Sequence, residues 1–143
     1  DGEKLKAFNT LDGHGLKMLA EVGIRTGIIT GRRSRALALR CADLGISILH
    51  QGVSDKAAVF AGVLTECGLQ ADQAGYMGDD VVDLPVMVRC AFAAAVPSAP
   101  IDVRSRAHYV TQADGGRGAA REVCEFILRA QGQFDSLIAG YLT

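Results

Sequence analysis

A chain of 143 residues with 49% hydrophobic residues and no tryptophan suits one self-sufficient domain, since folding at this size buries roughly two-thirds of the unfolded surface. Fifteen basic and sixteen acidic side chains leave a net charge of −1, which argues against a general nucleic-acid partner. No apolar run reaches the length of a membrane span, no secretory leader opens the chain, and Cys41, Cys67, Cys90 and Cys124 form no CxxC pair. The expectation is a cytoplasmic protein with reduced thiols and no membrane partner.

Residues 4–9 alternate as a strand does, with Leu5 and Ala7 inward. Asp12-Gly13-His14-Gly15 then opens a helix running to Val22, with Leu16, Met18 and Leu19 as apolar positions and Gly23 as its stop. His14 reads either as a ligand contact or as a solvent-facing histidine. Residues 24–29 form the next strand, which ends in Thr30-Gly31-Arg32-Arg33-Ser34 before a helix reaching about Leu44. A hydroxyl at a strand end, a glycine that lets backbone approach, an arginine fork and a helix N-terminus together make an anion site. The plainer alternative makes Thr30 and Ser34 turn and cap residues.

A short strand over residues 46–49 is followed by Gln51-Gly52-Val53-Ser54-Asp55-Lys56 and a helix to about Cys67, with Ser54 as the expected N-cap. Lys56 sits where cations are disfavoured, so it is either aimed at a phosphate or carboxylate or lies flexible in solvent. Residues 73–77 read as a buried strand, Gly78 as a sharp exit, and Asp79 or Asp80 as the cap of a helix that carries Pro85 in its first turn. Asp79, Asp80 and Asp83 repel one another unless donors or a cation sit among them, and hard oxygen ligands suit Mg²⁺. The alternative is one cap and two solvated acids. A strand over residues 91–96, a short helix over 99–106 and a last strand over 108–110 follow. Gly115-Gly116-Arg117-Gly118 then leads into an amphipathic helix reaching about Gln131 and an apolar tail.

Strands alternating with helices imply an α/β fold with a doubly wound parallel sheet, in which ligands bind beyond the carboxyl ends of the strands. Thr30, Lys56 and Asp79 each follow a strand and so converge on one edge. Five arginines crowd residues 25–40 without an acid, and residues 57–88 carry acids without Lys or Arg. That segregation suits a metal facing an anionic substrate.

Ile28-Ile29-Thr30-Gly31-Arg32, Lys56 after Gln51-Gly52-Val53, and the run from Gly78-Asp79-Asp80 to Met87 resemble motifs two, three and four of the haloacid dehalogenase-like phosphohydrolases. Lys6-Ala7-Phe8-Asn9, Asp12-Gly13-His14-Gly15 and Gly115-Gly116-Arg117-Gly118-Ala119-Ala120-Arg121-Glu122 extend the likeness to about Phe134. They point to the small capless branch that dephosphorylates an eight-carbon sugar acid. The resemblance implies one domain over residues 1–143 with a Rossmann-like core, its helix and tail lying beyond about residue 112. It implies a Mg²⁺-dependent phosphomonoester hydrolase acting on a phosphorylated sugar acid in lipopolysaccharide precursor synthesis. Thr30 would bind the transferring phosphoryl group and Lys56 would neutralise it. Arg32, Asp12 and Arg117 would contact substrate, and Asp79 would hold the metal with Asp80 and Asp83 in support. A homotetramer in which a neighbour's tail helps to close the site is also implied.

One element of the family's pattern is missing. The nucleophile-bearing Asp-x-Asp strand would precede Asp1, and no such motif ends an apolar strand in these 143 residues. The expectation is therefore that these residues are the larger part of a complete enzyme. Leu11 also stands where these phosphatases often carry a polar or basic residue. Two rival readings remain: a phosphatase for a nine-carbon sialic-type acid phosphate, and a non-catalytic oligomerisation module of the same fold.

Overall fold

The computed structural model describes residues 10–143, so the strand expected over residues 4–9 lies outside the described residues. The chain runs α1 (Thr10–Glu21), β1 (Gly27–Ile29), α2 (Arg35–Leu44), β2 (Ile48–His50), α3 (Lys56–Cys67) and β3 (Gly75–Gly78). It continues through α4 (Leu84–Met87), β4 (Phe92–Ala95), α5 (Ile101–Arg104), β5 (Tyr109–Val110), α6 (Ala119–Ala130) and α7 (Phe134–Tyr141). The strands are shorter than the sequence pattern implies because turn chemistry claims their flanks. Residues 71–73, for example, close a 3₁₀ turn ahead of β3.

Capping explains where the helices begin and end. Ser34 caps α2 by accepting from the Leu37 N–H, and Gly45 ends it in the left-handed conformation that glycine adopts without strain. For α3 the cap is Asp55, whose carboxylate accepts from the Ala58 N–H, and not the expected Ser54. Asp80 caps the 3₁₀ turn Val81–Asp83, which passes directly into α4 with Pro85 in its first turn.

All strand pairings are parallel. Among the described residues they form two ladders, β1–β2 and β3–β4–β5, in keeping with the expected parallel α/β fold. In β4, Ala93, Ala94 and Ala95 are fully buried, and Ala93 and Ala95 share a core cluster with Val86, Met87 and Val103. A second cluster joins α1 to α6 through Met18, Leu19, Cys124 and Leu128, with Phe134 and Leu137 of α7 laid against it. No helix among the described residues is long and apolar enough to cross a membrane.

Between the two sheets lies an apolar cavity of about 440 Å³. β1 and β3 border it with Ile28 and Met77, α3 covers one side with Phe60 and Leu64, and α1 and α6 contribute Leu19 and Val123. Among the described residues β1 pairs only with β2 and β3 only with β4, so each leaves one ladder edge unpaired.

Candidate active site

The expected residues gather where β1, β2 and β3 end. Ladder geometry continues past β1, with the Thr30 N–H donating to His50 O at 2.9 Å and the Val53 N–H to Thr30 O at 3.0 Å. The Thr30 hydroxyl oxygen accepts from the Arg32 N–H at 3.1 Å, which leaves its own proton available as a donor to an anion. Thr30 is thus both turn residue and candidate donor. Arg33 lies across Gly52, where a Cβ would fall 2.5 Å from the guanidinium carbon. Gln51, which drew no functional reading in the sequence, fixes the α2 entry by accepting from the Ser34 N–H at 2.6 Å. Arg32 and Arg33 are both exposed at this mouth.

Lys56 is the first residue of α3, and its ammonium donates to Asp83 Oδ1 at 2.7 Å with only 12% of its side chain exposed. The unfavourable field of the helix N-terminus is answered by that carboxylate, and the flexible, exposed lysine is not what the structure contains. Asp83 is 3% exposed and completely engaged. Oδ1 also accepts from the Tyr76 hydroxyl at 2.7 Å, while Oδ2 accepts from the Asp79 N–H at 2.9 Å and the Asp80 N–H at 3.2 Å. Burial alone would raise its pKa, but the Lys56, Tyr76 and Asp79 donors outweigh it and hold the carboxyl below the ordinary range. Asp83 therefore supports the turn, each of its oxygens taking two donors.

Asp80 is committed locally, accepting from the Val81 N–H at 2.7 Å as a cap. Asp79 differs. Burial, and then the charge of Asp83, raises its carboxyl above the ordinary range, with Asp80 adding to the effect and Lys56 offsetting only part of it. An under-compensated carboxylate at the end of a parallel strand is what a hard cation relieves, so Asp79 fits Mg²⁺. Among the described residues no three His, Cys, Asp or Glu side chains converge as a ready-made cage. Mg²⁺ characteristically takes one or two carboxylates, with water and phosphate completing the shell.

Asp12 and Arg117 form a separate group. Asp12 Oδ1 accepts from the Arg121 N–H at 2.9 Å and Oδ2 from the Gly118 N–H at 3.4 Å, which satisfies the start of α6 from across the molecule. Both Asp12 oxygens thus act as anchors for α6, where a substrate contact was expected. Arg117 is exposed in the turn just before that helix. Glu122 shapes the same turn by accepting from the Gln112 and Ala113 N–H groups and the Tyr109 hydroxyl. His14, also given two readings, meets the tail through a 3.1 Å contact from Nε2 to the Tyr141 hydroxyl.

No family model matches the chain. A curated relative from Escherichia coli strain K12, 3-deoxy-D-manno-octulosonate 8-phosphate phosphatase, is 44% identical over 135 residues, covering 94% of this chain and 72% of the relative. The chain belongs to this phosphatase family. The crystal structure of the phosphatase from Yersinia pestis superposes with a TM-score of 0.91 at 46% identity, covering 94% of this chain and 72% of that one. The Moraxella catarrhalis phosphatase, solved with a magnesium ion, a phosphate ion and a KDO molecule, gives 0.94 at 41% identity over 98% of this chain and 80% of that one. None of these phosphatases supports the nine-carbon reading or the non-catalytic module. They confirm the α/β haloacid dehalogenase-like core expected from the sequence.

Proposed function

We propose that the protein is a Mg²⁺-dependent phosphomonoester hydrolase that converts 3-deoxy-D-manno-octulosonate 8-phosphate (KDO 8-phosphate) to the free sugar acid and inorganic phosphate, in lipopolysaccharide precursor synthesis. The observation that carries this reading is the 2.7 Å Lys56–Asp83 pair. Through Asp83 it joins a cation suited to a phosphoryl group to the backbone of the Asp79 turn, in a chain 44% identical to such a phosphatase.

The roles follow from position. The Thr30 hydroxyl donates to a phosphoryl oxygen, the Lys56 ammonium offsets its growing charge, and the exposed Arg32 offers a fork of donors to the sugar acid. Asp79 would hold Mg²⁺, which supplies further charge neutralisation when bound. We assign the cavity between β1 and β3 to the strand that bears the first motif. Two unpaired parallel edges and apolar walls on both faces describe the needs of a central strand, and its carboxyl end would emerge between Thr30 and Asp79. A carboxylate there forms an oxygen–phosphorus bond as the ester oxygen–phosphorus bond breaks and the alcohol leaves with a proton. Water then cleaves the acyl phosphate, restoring the carboxylate and releasing phosphate.

Location in the cytoplasm agrees with the four free cysteines. A tetramer closed by neighbouring tails is the assembly we assign. Within the single chain, Phe134 and Leu137 of α7 rest on the cluster formed by α1 and α6. The test is phosphate release from KDO 8-phosphate by the full-length protein. Release that needs Mg²⁺ and stops on chelation is expected; equal turnover of unrelated sugar phosphates, or turnover indifferent to chelation, refutes the reading. Sedimentation of the same sample as a monomer would remove the tetramer.

A further inference from the structure

β3 is half-buried, and it carries Tyr76 where phenylalanine would fill the same volume. The hydroxyl is the feature to explain, and it is turned inward to a part-buried partner. Its partner is Asp83 Oδ1 at 2.7 Å, the same oxygen that holds Lys56 at 2.7 Å. The other oxygen of that carboxylate holds the Asp79 and Asp80 N–H groups. One carboxylate thus ties the phosphoryl-neutralising cation to the metal turn, and Tyr76 is the side-chain hydroxyl that anchors it.

We propose that Tyr76 is a positioning residue for phosphoryl transfer, acting through Asp83 to fix where the Lys56 ammonium stands. Two physical effects follow from sharing one oxygen. Tyr76 occupies one lone pair of Oδ1, so Lys56 is confined to the other and approaches from a single direction. The hydroxyl also withdraws part of the oxygen's charge, which weakens the hold of Asp83 on Lys56 and leaves more of the cation's field for an anion at Thr30. Burial and the adjacent Asp83 push the Tyr76 phenol above its ordinary value, so it remains a donor whenever the site is in use. Without the hydroxyl, Asp83 would swing and Lys56 would retreat toward it.

This inference rests on the phosphatase reading, and the experiment separates the two. Tyr76→Phe is compared with the parent in the full-length protein, with and without Lys56→Met. Turnover of KDO 8-phosphate in Mg²⁺ and calorimetric binding of inorganic phosphate are the two readouts. Tyr76→Phe is expected to lower kcat/KM about tenfold, the factor carried by one hydrogen bond to a charged group, and to weaken phosphate binding. In the Lys56→Met background it should change phosphate binding little, because its route to the anion is gone. An equal loss in both backgrounds would make Tyr76 a packing residue and overturn the proposal, as would unchanged kcat/KM in the single variant. Lys56→Gln takes the place of Lys56→Met in the comparison should the latter fail to fold. A parent that neither hydrolyses KDO 8-phosphate nor binds phosphate removes the phosphatase reading itself, and this inference with it.

Discussion

Asp83→Asn keeps the volume of a side chain that is 3% exposed while removing its charge. Four donors face the carboxylate, two on each oxygen, and an amide nitrogen accepts none. Whichever way the amide turns, two donors lose their acceptor, and the Lys56 ammonium loses its counter-charge with 12% of its side chain exposed. Breaking a buried pair by removing one partner costs about 3–5 kcal/mol, against a total stability of about 5–15 kcal/mol for a domain. For a chain of this length that lowers Tm by about 10–15 °C. Urea unfolding followed by far-ultraviolet circular dichroism of the parent, Asp83→Asn, Lys56→Met and the double variant measures it. The double variant should be more stable than the sum of the singles predicts, by about 1 kcal/mol or more. The pH dependence has a fixed sign. The folded pKa of Asp83 is depressed, so its contribution is complete above the unfolded value near 4 and is lost as pH falls through the folded value. Parent and Asp83→Asn should therefore converge in acid. A variant within about 1 kcal/mol of the parent at neutral pH, or a parallel acid limb, would refute the account of Asp83 as the keystone of this turn.

Other outcomes follow from the same geometry. Asp79 is raised, so its ionisation opposes folding as pH climbs through the folded value, and a cation should reverse that. Mg²⁺ at about a hundredfold over its dissociation constant should stabilise the parent by about 2.7 kcal/mol in a thermal melt at neutral pH. Asp79→Asn should abolish both that shift and Mg²⁺-dependent turnover while keeping the fold; a retained shift would remove Asp79 as the ligand. Asp12→Ala should cost about 1 kcal/mol of stability by leaving the Gly118 and Arg121 N–H groups without their acceptor, with turnover kept among folded molecules. A selective rise in KM without loss of stability would return Asp12 to the substrate.

The parts of this site that could be read from the sequence are those fixed by local chemistry. Thr30, Lys56 and Asp79 each stand within a few residues of a strand end, and alternation of strands and helices alone places them on one edge. What was not legible depends on distant partners. Nothing near Lys56 announces Asp83, 27 positions away, and nothing near Asp12 announces the start of α6. Ser54 and Asp55 are both good caps in adjacent positions, and only the geometry of the entering chain chooses Asp55. Tyr76 did leave a trace, as a hydroxyl in a strand that is otherwise apolar or glycine, a signal easily read as one more aromatic in a core.

The bond between Asp12 and Arg121 spans 109 positions of sequence. α1, with Met18 and Leu19 destined for burial, is synthesised about a hundred residues before the helix they pack against. At ribosomal speeds of 5–20 residues per second, α1 waits roughly 5–20 s for α6, holding an apolar stripe with no lasting cover. The parallel strands between them can pair in the interval, each through a short crossover, so the α1–α6 clasp closes over a core already assembled. Loss of that clasp should act on the rate of unfolding more than on the rate of folding.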